Sequence, residues 1–448
     1  MAGADEKPPS VDNIEDIPQM IPAKEPSTAS YEDEEFTPEE QKRIIRQVDL
    51  RLVTMTGLVY CIALMDRTNL SMADIAGMEK ELALDIANRY STIVMVFFVA
   101  YIIFQPVMTV LIRKIGPTIF LGTITMTWAA ILIGTGFVRN WEQLVGLRVL
   151  LGLLESGCFP GCVYLLSCWY PRYEVQKRYA VFYIIGCFAG ALAGILAFGL
   201  MQANGASGLA GWRWIFILEG VITGVIGILC FIFLVDFPDR AATSWRFLNV
   251  QESAFIVRRI NNDRHDSELE AFSLKKYLRP ALDLKIWAFG LIFLCLTTVT
   301  LANFYFLPII LMNGMGFSIG TSQCLAAPPY VLAGIVMWAT SWLGDKYHTR
   351  GLILVGNALM CIIGLPLMGF AKGNTTRYAG VFLTVAGSNA NVPALLAYQA
   401  NNVRGQWIRA FSSATLVGLG GVGGIISGLV FRSQDAPEYR PGMYAALA

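Results

Sequence analysis

Residues 52–78 read LVTMTGLVYCIALMDRTNLSMADIAGM. The first part is an apolar run of the kind that crosses a bilayer as a helix, which takes about 20 such residues. Asp66 and Arg67 stand side by side in its continuation, with Asn69 one turn on. A charge at the centre of a bilayer costs about 2.5–3.5 kcal/mol on insertion scales, so such residues face a protein interior or a cavity. The stretch therefore predicts a membrane helix that has an interior to line.

Composition extends that reading to the whole chain. Of 448 residues, 55% are hydrophobic and 15% are charged, against about 25% charged in a soluble domain. A net charge of +1 gives no basic field for nucleic acid. The nine cysteines form no CxxC and there are two histidines, so no metal centre is expected. There is no phosphate-binding Gly-Lys loop and no nucleophile elbow. The chain reads as a non-enzyme without a cofactor. Residues 1–36 contain no apolar core of a signal peptide.

Eleven apolar stretches have the length of a span: 50–74, 90–112, 118–138, 143–168, 179–201, 213–235, 285–312, 322–343, 351–371, 378–400 and 409–431. The closing PEYRPGMYAALA reads as the first turns of a twelfth helix that is not completed. The expected organisation is a disordered cytoplasmic tail over 1–37, a first bundle over 38–235, a cytoplasmic central loop over 236–283 and a second bundle over 284–448. TPEEQKRIIRQV opens with a capping box, Thr37 to Glu40. Lys and Arg collect before the first span and after the second, fourth, sixth, eighth and tenth, which places the N-terminus in the cytoplasm. The turns IRKIGPTIFLG and LGDKYHTRGLILVG occupy corresponding places in a six-plus-six scheme and supply Arg113, Lys114, Asp345 and Arg350 as a cytoplasmic gating motif. Such internal repeats around a central site are a transporter architecture. Asn374, in an NTT sequon, falls in a short outer loop and is a weak glycosylation candidate.

Two groups carry chemistry. Asp66 and Asn69 share a helix face, and Arg67 sits about 100° round from Asp66. In LRVLLGLLESGCFPGCVYLLSCWYPR, Glu155 lies mid-helix among glycines, with Arg148 two turns back. A buried lone carboxyl is suited to binding and releasing a proton; the bland alternative is a structural pair with Arg148 or Arg67. Tyr101, Asn303, Tyr305, Asn389, Asn391 and Gln399 add polarity to other spans, either toward a substrate or toward a neighbouring helix. The glycine run LVGLGGVGGIISG suits a helix that others approach closely.

LMDRTNLSMADIAGM, FFVAYIIFQP, CFPGCVYLLSCWYPRYEVQKR, GWRWIFILEG, VDFPDRAATSWRFLNVQE, APPYVLAGIVMW, WLGDKYHTRG and NVPALLAYQANNVRGQWIRA together resemble the major facilitator superfamily. Within it they resemble the anion:cation symporter family, particularly fungal allantoate/nicotinate-type permeases. The resemblance implies an all-α polytopic membrane protein of the major facilitator fold: two six-helix bundles, here with the twelfth helix truncated, around a cavity that opens to each side in turn. It implies that Arg67 holds an anionic substrate, that Asp66 and Glu155 carry the coupling proton and that Tyr101 lines the cavity. The chain departs from the pattern at Leu151, where some relatives have a second acid, and at Gly421, where many carry Asn.

The expectation is a monomeric, proton-coupled secondary transporter of a small organic anion, most simply a carboxylate, in the plasma membrane. Export of an acidic secondary metabolite is the alternative within transport. A non-transporting nutrient sensor is the alternative outside it.

Overall fold

The computed structural model describes residues 36–84, 89–171, 174–201, 203–264, 273–317, 319–347, 349–403, 406–430 and 440–447. The tail expected over 1–37 lies outside these but for Phe36 and Thr37. The first helix starts at the expected box: Thr37 N–H donates to Glu40 Oε2 at 2.9 Å and Glu40 N–H to Thr37 Oγ1 at 3.4 Å. That satisfies two donors which no helical carbonyl reaches.

Helix α1 (Pro38–Val48) leads through a π-turn (Asp49–Val53) into α2 (Thr54–Ala73). A second π-turn (Asp74–Met78) ends α2 and is followed by α3 (Glu79–Glu81). Next come α4 (Arg89–Ile115), α5 (Pro117–Thr135), α6 (Trp141–Glu155), α7 (Cys158–Trp169), α8 (Val175–Met201) and α9 (Gly211–Phe233). The central segment holds α10 (Val250–Arg264) and α11 (Leu274–Leu278). The later spans are α12 (Leu284–Ile309), α13 (Ile319–Tyr347), α14 (Arg350–Phe370), α15 (Asn374–Asn402) and α16 (Gln406–Val430), followed by α17 (Arg440–Leu447). One residue, Gly116, separates α4 from α5; its φ of 98° turns the chain at once, a conformation open to glycine without strain.

Among the described residues, nine helices are long and apolar enough to cross a bilayer. The two further stretches counted from the sequence fold as α8, of 27 residues, and α13, of 29. The chain is a multi-pass, helical membrane protein. On α14, Leu352, Val355, Leu359, Ile362 and Ile363 are all exposed along one face, a surface that only lipid or a partner covers at low cost.

The packing repeats. α2 lies on α8 as α12 lies on α16; α4 lies on α6 as α13 lies on α15; α5 lies on α9 as α14 lies on α17. The two sets meet through α4 on α16 and, by the same correspondence, α13 on α8. α15 is buried without interruption from Thr384 to Ala397. Glycine permits its closest crossing: a Cβ on Gly364 of α14 would lie 2.5 Å from Thr384 Oγ1 and 2.7 Å from its backbone nitrogen.

Candidate functional site

Where the two sets meet there is a cavity of about 50 Å³. α2, α4, α7 and α8 supply Tyr60, Arg67, Tyr101, Phe159 and Tyr183; α12 and α16 supply Phe293, Thr297, Thr300, Phe304, Gly420 and Gly421. Among the described lining residues Arg67 alone is charged. An engineered cavity of about 150 Å³ holds benzene, so this space is smaller than one known to take an aromatic ring.

Helix geometry separates Asp66 from Arg67. Successive side chains leave an α-helix about 100° apart, and here that angle sends Arg67 into the cavity and Asp66 behind it. Arg67 Nε donates to Glu155 Oε2 at 3.3 Å. Its guanidinium lies 4.9 Å from the Tyr101 ring centre and 5.8 Å from that of Phe97. Such a stack holds a cation where water is scarce.

Two features of the fourth span bring Glu155 to this point. Gly152, one turn earlier, lets α6 touch α4: a Cβ there would overlap the Phe97 carbonyl oxygen. Pro160 has no N–H for the Ser156 carbonyl and its ring would crowd that group, and the span breaks at Ser156–Gly157 between α6 and α7. Glu155 is thus the last residue of α6, not a mid-helix residue. It is fully buried, and its Oε1 accepts no hydrogen bond among the described residues. The pairing that the sequence left open between Arg148 and Arg67 is made with Arg67.

Asp66 does not line the cavity. It is fully buried, and neither carboxyl oxygen has a hydrogen bond among the described residues. The charges that act on it are Glu219 from α9 and Glu155 and Arg148 from α6. The indole N–H of Trp128, itself without a hydrogen bond, faces it from α5.

The remaining candidates divide. Tyr101 is in the cavity wall. Asn303, Asn389 and Asn391, expected as substrate-binding residues, are not among its described lining residues. Asn389 Nδ2 donates to the Val385 carbonyl at 2.9 Å and its Oδ1 faces Cys187 Sγ at 3.4 Å. Asn391 Nδ2 donates to the Leu354 carbonyl at 3.3 Å. Asn303 is buried outside the lining, and the Tyr305 side chain lies outside the described residues. The amides of Asn389 and Asn391 serve helix contacts, the usual use of Asn in a membrane helix. Gln399 does likewise, bonding the Ser412 carbonyl at 2.9 Å. Asn303 Nδ2, by contrast, has no hydrogen bond among the described residues.

At the end that carries the basic turns, Asp345 accepts from Arg350 at 3.2 Å and from the Lys177 backbone N–H at 3.1 Å. Arg350 also donates to the Ala397 carbonyl at 2.7 Å. Arg113 bonds Tyr164 Oη and stacks 4.8 Å from the Trp407 ring centre, whereas Lys114 is exposed. Asn374 is the first residue of α15 rather than part of a loop, and its Nδ2 donates to the Met315 carbonyl at 2.9 Å. The amide that a glycan would need is engaged.

Sequence reasoning passed over Glu219, Trp128, Thr297 and Thr300. Glu219 carried a readable signal, a lone acid in the apolar run GWRWIFILEG. The threonines carried none: Thr300 Oγ1 bonds its own Leu296 carbonyl at 2.9 Å, as threonines do in any membrane helix.

Comparison with known proteins bears on this geometry. The family model described as Major Facilitator Superfamily matches residues 56–428. The high-affinity nicotinic acid transporter of Saccharomyces cerevisiae is 28% identical over 408 residues, covering 91% of this chain and 75% of that one. An uncharacterised transporter of Schizosaccharomyces pombe is 29% identical over 408 residues, covering 91% and 84%. Among solved structures, the proton:xylose symporter XylE aligns with a TM-score of 0.68 at 14% identity, over 91% of this chain and 95% of that one.

Proposed function

Because the chain belongs to the major facilitator superfamily, and so is a membrane transporter of small solutes and not an enzyme, we propose that it carries a small organic anion, a carboxylate, together with protons. The observation that carries this reading is the Arg67–Glu155 pair at 3.3 Å, whose Arg67 lines the central cavity.

An anion cannot rest at mid-bilayer uncompensated, and Arg67 is the cation placed to receive it. A bound carboxylate and Glu155 then compete for one guanidinium. A proton on Glu155 resolves the competition: Glu155 becomes neutral and Arg67 turns to the substrate in the two-pronged geometry that suits guanidinium and carboxylate. With both loads aboard the site is neutral. With neither, Arg67 and Glu155 neutralise each other. A half-loaded site keeps an unpaired buried charge, which costs about 3–5 kcal/mol and holds the carrier back from exchange. Anion and proton are coupled by that penalty.

The aromatic walls suit a flat apolar body behind the carboxylate. The relative named for nicotinic acid supports an acid of that kind. We place the basic turns in the cytoplasm on the rule that Lys and Arg concentrate there, and the carrier in the plasma membrane.

The test is uptake of labelled nicotinate, allantoate and pantothenate by cells expressing the chain, in acidic medium with and without a protonophore. One of the three is expected to accumulate and to lose that accumulation with the proton gradient. Arg67→Ala is expected to abolish uptake at an unchanged amount of protein in the membrane. Normal uptake by this variant would overturn the mechanism.

A further inference from the structure

The stretch that joins the central segment to the second set of spans exposes apolar and basic side chains together. In α11 and the turn Arg279–Leu282 that follows it, Leu274, Leu278 and Leu282 are exposed, and so is Leu284 at the start of α12. Leu282 is 92% exposed. Lys275, Arg279 and Lys285 are exposed beside the leucines, and Asp283 is the one acid between Leu274 and Lys285. Leu274 and Leu278 lie one turn apart on the same face of α11. Going round the helix, that face stands between buried Tyr277 on one side and exposed Lys275 on the other.

Two observations indicate what covers these leucines. The first is continuity. α12 has the length and apolarity of a span, and its Leu284, Trp287 and Leu291 are exposed directly after the stretch. Trp287 Nε1 donates to the Ala281 carbonyl at 2.8 Å, which ties the turn to the first turn of that span. A tryptophan at the end of a span marks the level of the headgroups, so the leucines stand where the acyl chains begin. The second is charge. Lys and Arg at headgroup depth favour anionic lipid, each by about fivefold. Their stems lie over apolar surface while the charges reach the headgroups.

Tyr277 ties the same stretch to both sets of helices. Its Oη donates to the Pro106 carbonyl of α4 at 3.4 Å. Its ring stands edge-on to Phe411 of α16, with centres 5.4 Å apart, and to Trp407 at 6.4 Å. α4 on α16 is one of the places where the two sets meet.

We propose that the junction of α11 and α12 docks on anionic lipid in the leaflet at the basic end, and that this lipid holds Tyr277 against α4 and α16. The occupant is a bilayer lipid of net negative charge, such as phosphatidylserine. Its headgroup meets Lys275, Arg279 and Lys285, and its acyl chains meet the leucines. The lipid favours a closed basic end, because α11 cannot lift Tyr277 away without drawing leucines out of the acyl layer. The lipid site is independent of the substrate proposed above; its part in closing rests on the transport reading.

The test uses the full chain in proteoliposomes, with native cysteines removed and a bimane fluorophore on Leu282→Cys. The liposomes hold phosphatidylserine and phosphatidylcholine at one fixed ratio, with a brominated, quenching chain on one lipid or the other. Quenching per brominated lipid is expected to be about fivefold or more stronger when the bromine is on phosphatidylserine. Lys275→Gln, Arg279→Gln and Lys285→Gln together are expected to abolish the preference; Arg279→Gln alone is expected to reduce it and serves if the triple variant fails to fold. Equal quenching by both lipids, or a preference that survives all three changes, would overturn the anionic-lipid site. Quenching by neither would overturn it in favour of a protein partner. Loss of the preference to inorganic phosphate at constant ionic strength would overturn it in favour of a free-phosphate site. For the closing role, a membrane-impermeant maleimide applied from the basic side is expected to label Thr300→Cys about twofold more slowly with phosphatidylserine than in phosphatidylcholine alone. That difference is expected to vanish in the triple variant and in Tyr277→Ala. A lipid preference with equal labelling rates retains the site and overturns its hold on Tyr277. A lipid preference in a chain that takes up none of the tested carboxylates places the failure in the proposed substrate.

Discussion

In the proposed scheme Arg67 is one cation with two possible partners, Glu155 and the anion, and that choice is the smallest working unit of the carrier. Glu155→Gln keeps the size of the side chain and removes its charge. On that scheme protonation of Glu155 favours anion binding, so binding to the purified chain is expected to be tight at acid pH and to weaken as pH rises. In the variant Arg67 is available to the anion at every pH, and binding is expected to be as tight at alkaline as at acid pH. Uphill accumulation is expected to fall at least about tenfold, equivalent to ~1.4 kcal/mol of lost coupling. A variant whose binding follows pH as the wild type does would remove Glu155 from the scheme. Arg67 and Glu155 were legible because an ion in an apolar run must be compensated by something. Asn389 and Asn391 were not, because an amide on a membrane helix satisfies itself on a neighbouring backbone as readily as on a solute, and here both do. Which face of a helix looks into a cavity is a property of its neighbours, and a single sequence does not contain the neighbours.

At the scale of elements, the length of the apolar runs announced the spans, since bilayer thickness and helix rise leave little freedom. The break in the fourth span was not read, although Pro160 was in plain view, because proline in a membrane helix as often bends as breaks it: Pro106, Pro366 and Pro393 all sit inside continuous helices. Glycine shows the same dependence on context. Gly364 and Gly356 lie on the same helix α14, two turns apart. A Cβ on Gly364 would meet Thr384 Oγ1 at 2.5 Å and backbone atoms at 2.7 and 2.9 Å, whereas one on Gly356 would meet nothing within 4 Å. Gly364→Ala is therefore expected to destabilise the α14–α15 crossing by about 1–3 kcal/mol, the usual range for overpacking. Gly356→Ala is expected to be neutral or mildly stabilising through helix propensity. Thermal unfolding of the two detergent-solubilised variants, followed by loss of the monodisperse peak, decides this. Equal midpoints would mean that the crossing relaxes and that the glycine is not required for it.

On the proposed scheme the carrier opens one end while the other is shut, and the contacts between the two sets of helices are then what would hold the basic end closed. Asp345 of α13 accepts the Lys177 N–H of α8 at 3.1 Å. Arg409 of α16 donates to the Ser167 carbonyl of α7 at 3.2 Å. Tyr277 of α11 reaches the Pro106 carbonyl of α4 at 3.4 Å. Beside the first of these, a Cβ on Gly344 would lie 2.6 Å from Gln176 Oε1, so the helices touch there without a gap. The contacts involve different helices, and on that scheme each is expected to break as the basic end parts and so to contribute to the balance between two access states. Asp345→Asn keeps the shape of its side chain and weakens the bond to Lys177 by about 1 kcal/mol. A difference of that size shifts a two-state population by about fivefold. With native cysteines removed and a cysteine placed at Thr300 in the cavity wall, a membrane-impermeant maleimide applied from the basic side is expected to react about fivefold faster in the Asp345→Asn background. Applied from the opposite side it is expected to react more slowly, because the same population is being drawn from. Faster reaction from both sides would mean a loosened fold instead of a shifted balance, and unchanged rates would mean that Asp345 organises Arg350 alone and has no part in closing the carrier.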